Sequence, residues 1–140
     1  MRDRGHAAVE LALGAGLMLL PAAIVVLAFG PWAEHRVTAE AIAAEAARIA
    51  VIELDVTAGN AGLGAHAADA GIDPARIRVG WCGTSPTVAS SGDCAFTRGS
   101  VVSVTVDLWS PLVPTPWGRI GGIWVSATHT EAIDLYRSLG

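Results

Sequence analysis

The sequence contains no lysine: all nine basic residues are arginines, spread singly along 140 residues. Against thirteen acidic residues they leave a net charge of −4, and no basic patch marks a nucleic-acid partner. Cysteine is limited to Cys82 and Cys94, with no CxxC pair and no histidine beside either, which speaks against a metal centre. The four histidines, His6, His35, His66 and His129, fall in different segments, and neither HExxH nor G-x-S-x-G occurs. Gly59, Gly62 and Gly64 have neither the GxGxxG nor the P-loop spacing, and no lysine follows them, so nucleotide binding is not indicated. No catalytic, cofactor-binding or metal-ligating residue is assigned, and no enzyme activity is expected.

What the chain does have is a long apolar run. Residues 11–30 are uncharged, and as a helix rising about 1.5 Å per residue they would cover roughly 30 Å, the thickness of a bilayer core. Removing this segment leaves about 110 residues for a core, too few for a large catalytic domain. A cleavable secretory signal is the competing reading, with Arg2 and Arg4 as its basic start and Val26 with Ala28 before the cut. The run is longer than the roughly 7 to 15 apolar residues such signals use.

Glu10 does not fit a simple anchor, because a carboxylate in the hydrocarbon costs on the order of 2.5 kcal/mol or more and calls for a partner. Cleavage after Gly5 would make His6 the N-terminus and set its ammonium one helical turn from Glu10, on the same or a neighbouring helix. The alternative is an interfacial Glu10 that reaches for lipid headgroups.

The leader Met1-Arg2-Asp3-Arg4-Gly5, followed by His6-Ala7-Ala8-Val9-Glu10 and the apolar run, resembles the N-terminus of a type IV prepilin. More narrowly, the wording R-G-x-A-A-V-E-L-A-L is similar to that of TadE-like pseudopilins of tight-adherence (Tad/Flp) pilus systems. The resemblance covers the first thirty residues. It implies that prepilin peptidase cuts after Gly5, that Glu10 is the motif glutamate used in assembly, and that the partners are other pilin subunits and an inner-membrane pilus platform. Small Flp pilins usually have tyrosine after that glutamate, whereas this chain has Leu11 and a much longer C-terminal part, which argues against the major filament subunit.

Arg2 and Arg4 precede the run while Glu34 and Arg36 cancel after it, so the positive-inside bias puts the N-terminus in the cytoplasm and residues 31–140 outside. Trp32 suits the outer interface, and membrane lipid is the first expected contact. Cys82 and Cys94 both lie in the exported part, where a disulfide between them is the natural pairing.

Five segments are expected: a leader (1–5), a transmembrane helix (6–30), an alanine-rich helix (31–56), a glycine-rich loop (57–75) and a small β domain (76–140). In the first helix Ala8, Ala12 and Gly16 share a face that would let helices approach closely, and Pro21 predicts a kink. Ala39, Ala43, Ala46 and Ala50 form a methyl-lined seam suited to tight packing on a sheet or a neighbouring subunit. Residues 57–75 read as loop with one short helix over 65–70. From residue 76 the period changes to two: Ile77, Val79 and Trp81, then Val102 to Leu108, then Val125 and Ala127, predicting three antiparallel strands. A polar loop over 83–93, carrying Thr84, Ser85, Thr87, Ser90 and Ser91, joins the first two, and a proline-bearing segment over 111–122 joins the last two. A short helix is expected over 131–139, and Asp107 and His129 are candidates to face each other across strands. The fold class is α+β and pilin-like. Two functions from different classes remain open: a pilus-assembly subunit serving secretion and adhesion, or a membrane-tethered or secreted binding module clipped by one disulfide.

Overall fold

In the computed structural model the described residues are 4–88, 92–111, 113–115 and 118–136. They form an α+β fold: a helix α1 (Arg4–Glu53), a second helix α2 (Val56–Asp69), and strands β1 (Ile77–Trp81), β2 (Val101–Ser110), β3 (Val113–Thr115), β4 (Gly118–Ile120) and β5 (Ile123–Ala132). Helix α1 runs through Pro21 and Pro31 without interruption for 50 residues, so the apolar run and the alanine-rich stretch are one element. Residues 31–53 contain no glycine, and their alanines and glutamates favour helix, but the helix expected over 31–56 ends at Glu53.

The alanine seam behaves as expected. Ala39, Ala43, Ala46 and Ala50 are fully buried, together with Ile42 and Ala47, and the seam lies against the inner face of the sheet. Methyl groups let the helix axis come close to the strands, where Val102, Val104, Val106 and Leu108 of β2 are also completely covered. The three main strands are ordered β1-β2-β5, all antiparallel, with Trp81 opposite Val104 and Val125 opposite Leu108.

Residues 57–75 differ from expectation. Most of them belong to α2, which starts two residues after α1 ends: Leu54 turns the chain in the left-handed region (φ 55), and Asp55 caps α2 by accepting a hydrogen bond from the Thr57 amide at 2.8 Å. The glycines are contact points within a helix. A Cβ on Gly59 would lie 2.6 Å from the Trp81 ring and 2.9 Å from the Ala50 methyl, and one on Gly62 would collide with Ile49. They are small because α2 packs closely on α1, and this closeness outweighs the helix cost of about 1 kcal/mol per glycine.

Three further details correct the sequence reading. The segment over 111–122 is not plain loop, since β3 and β4 pair as a small ribbon with Val113 opposite Ile120. The helix expected over 131–139 is not formed in its described part. Glu131 and Ala132 finish β5 by pairing with Val102 and Val101, and the Ile133 amide bonds the Ser100 carbonyl at 2.9 Å. Residues 137–139 of that expected helix lie outside the described residues. Asp107 and His129 do not face each other either. Asp107 stands opposite Ser126, whose hydroxyl donates to its carboxylate at 2.5 Å, while His129 stands opposite Val104 and lies 3.3 Å from Glu131.

Cys82 and Cys94 are disulfide-bonded, as the sequence predicts. Cys82, in the left-handed region (φ 48), and Gly83 (φ 86) turn the chain out of β1. Thr84 then donates its hydroxyl to the Trp81 carbonyl and accepts from the Trp81 amide, and Thr87 pairs with Val79. Ser90 and Ser91 lie outside the described residues. Closing a loop with a sequence separation of 12 stabilises by about 3 kcal/mol in the chain-entropy estimate. Denaturation of Cys82→Ser/Cys94→Ser beside the oxidised chain is expected to show that loss. An unchanged midpoint would mean that packing alone, such as Gly92 against the Trp81 backbone, holds the loop.

Candidate functional site: the apolar half of α1 and its junction with the sheet

Among the described residues the first half of α1 has no partner in the fold. Leu11, Leu17, Met18 and Leu27 are each more than 70 % exposed, and apolar side chains cover the helix all round. A helix that is hydrophobic on every face belongs in an apolar surrounding, and this one is long and apolar enough to cross a membrane. Gly5 and His6 lie in its first turn, and Glu10 is one turn further on, exposed like His6. Among the described residues neither His6 nor Glu10 has an ion-pair partner. Ala12 and Gly16 are exposed, and together with Val9, Leu13, Leu17 and Leu20 they line a shallow apolar groove along the helix; Ala8 precedes them one turn earlier in α1. Apart from its chain neighbours and the adjoining helix backbone, nothing described lies within 4 Å of the position a Cβ on Gly16 would take, so the groove is open to another helix.

Beyond Gly30 the helix changes surroundings over two turns. The Phe29 and Trp32 rings meet edge to face at 6.2 Å, and the Arg36 guanidinium sits 5.8 Å from the Trp32 ring centre. Arg36 also donates through Nε to Glu40 at 3.1 Å, an exposed pair that contributes little to stability. The His35 ring nitrogen Nδ1 lies 2.7 Å from the Pro31 carbonyl oxygen. Here α1, the end of α2 and the end of β2 surround a cavity of about 560 Å³, walled by Pro31, Glu34, His35, Asp73, Arg76 and Trp109.

No family model, curated protein or solved structure matches the chain. The likeness of the first thirty residues to prepilins therefore rests on those residues themselves. Among the described residues, no three His, Cys, Asp or Glu side chains converge on a point where a metal ion would sit. His66 lies exposed near the end of α2, away from His35 and His129 in sequence and in element.

His6, Glu10 and the small-residue face lie on one helix, as the sequence predicts, whereas Gly5, expected in a separate leader over 1–5, is already inside α1, which begins at Arg4. Sequence reasoning did not find that residues 31–38 share a cavity with Arg76 and Trp109. The signal for that was faint: Trp109 follows the alternating stretch of β2, and only the strand register shows which end of the sheet it reaches.

Proposed function

We propose that this protein is a minor, pilin-like subunit of a Tad/Flp-type pilus, anchored in the cytoplasmic membrane by residues 6–30 and packed through that helix into the assembly. The observation that carries the reading is the division of α1. Its first half is apolar, exposed on all sides and interrupted by the single carboxylate Glu10, while its second half is the central core helix of a small α+β domain. A helix built this way can dock laterally against like helices without disturbing its own domain. The partners are other pilin or pseudopilin subunits, prepilin peptidase at Gly5 and the inner-membrane platform. The N-terminus is cytoplasmic and the disulfide-bearing domain lies outside. No catalytic step is assigned to the chain.

One observation favours the second reading. Among the described residues none before Ala39 belongs to the core, so the domain closes without the apolar half of α1, as a tethered or secreted binding module would. Maturation separates the two. The chain recovered from membranes is expected to begin at His6, and substitution of Gly5 by a bulky residue is expected to leave full-length precursor. Intact-mass measurement with N-terminal sequencing reads both, and a mature chain beginning at Phe29 would sink the pilin reading.

A further inference from the structure

Trp117 lies outside the described residues; of the four described tryptophans Trp81 alone is fully buried, and it lies at the far end of the domain against Ala50 and Gly59. Trp109 and Trp124, partly exposed, lie at the opposite end, and Trp32, also partly exposed, follows Pro31, which walls a cavity together with Trp109. The register places Trp109 opposite Trp124, and their rings meet edge to face at 5.2 Å. The Arg78 guanidinium lies 3.9 Å from the Trp124 ring centre, a close cation–π contact. Trp109 also walls the cavity whose other side is Pro31, Glu34 and His35. These are the first residues beyond the apolar run.

The distances along the helix decide what lies below this surface. From Gly30 to Glu34 α1 rises about 6 Å, which is comparable with the headgroup layer of about 5 to 8 Å on each side of a bilayer core. Taking the membrane anchor of the preceding subsection as given, we infer that this end of the domain is a seat on the phospholipid interface, with Trp109 and Trp124 in the headgroup layer beside Trp32. Tryptophan favours that layer because the ring is apolar while its N–H wants a polar partner, and arginine suits it because the stem is apolar and the guanidinium meets phosphate. The seat does not select anionic lipid. Among the residues whose side chains are described, Arg36, Arg76 and Arg78 are offset by Glu34, Asp69, Asp73 and Asp107 at the same end, so these leave no excess positive charge to face the membrane.

The test uses the full chain reconstituted in phosphatidylcholine vesicles, with Trp32 and Trp117 replaced by phenylalanine so that Trp81, Trp109 and Trp124 emit. Lipids brominated near the headgroup are expected to quench most of the Trp109 and Trp124 emission, leaving that of Trp81. Bromines near the bilayer centre are expected to quench far less, and adding phosphatidylglycerol should change neither result. Adding Trp109→Phe and Trp124→Phe to the same chain should remove the quenchable fraction. Unquenched emission from a chain that floats with the vesicles overturns the seat while leaving the anchor intact. A chain that does not float overturns anchor and seat together.

Discussion

Glu10→Leu is expected to leave the protein in the membrane, cleaved after Gly5, and to remove it from complexes with other pilin subunits. Insertion should be at least as favourable as for the wild type, because a charge beside hydrocarbon has been deleted. Assembly is different, since the proposed partner of Glu10 is the ammonium of a mature N-terminus on an adjacent helix. Glu10 is exposed on α1 and has no ion-pair partner among the described residues, so nothing within its own fold accounts for a carboxylate there. Losing one member of a buried pair costs roughly 3–5 kcal/mol, which is a drop of more than a hundredfold in association. Co-purification of wild type and Glu10→Leu from crosslinked membranes reads the difference. Equal recovery of partner subunits would reduce Glu10 to an interfacial carboxylate and leave assembly without its principal residue.

The second large effect belongs to Trp81→Ala. Its ring is completely buried where α1, α2 and the sheet meet, touching the space beside Gly59 and Ala50, and its Nε1 donates to the Asn60 side chain at 2.8 Å. Truncation leaves a large cavity and an amide oxygen without its donor. Together these are expected to cost roughly 3–5 kcal/mol, a large share of the 5–15 kcal/mol typical of a whole domain. In urea, with a slope of about 2 kcal/mol per molar, the midpoint should fall by about 1.5 M or more. Trp81→Phe should lose much less, since most of the volume stays. A loss below about 1 kcal/mol for the alanine variant would show that α2 is not held against α1 through this ring.

Much of this architecture is written locally in the chain. The uncharged run ending at Gly30, the alanine seam and the alternation of Val102, Val104, Val106 and Leu108 each report a neighbourhood through their own period, so helix, seam and strands could be read directly. The pairing of Cys82 with Cys94 followed from their being the only two cysteines. What failed depended on partners distant in sequence. Gly59 and Gly62 look like turn residues until the Trp81 ring and Ile49 are seen in the space their side chains would fill. Glu131 looks like the start of a helix until Val102 is found pairing with it. Asp107 and His129 missed each other by a register that is set through the β3–β4 ribbon, which no period in the sequence reveals. The pairing of Trp109 with Trp124, and the cavity that Trp109 shares with Pro31, were hidden for the same reason.

Because α1 passes from its apolar half into the domain without any coil, tilting an apolar half anchored as proposed would carry the domain with it. From Gly30 to Glu53 the helix extends roughly 35 Å, so a change in tilt of about 10° swings the outer end of the domain by about 6 Å. Under the proposed anchoring, the thickness of the surrounding bilayer, by setting that tilt, would control which way the disulfide-clipped end points and how far from the membrane it stands.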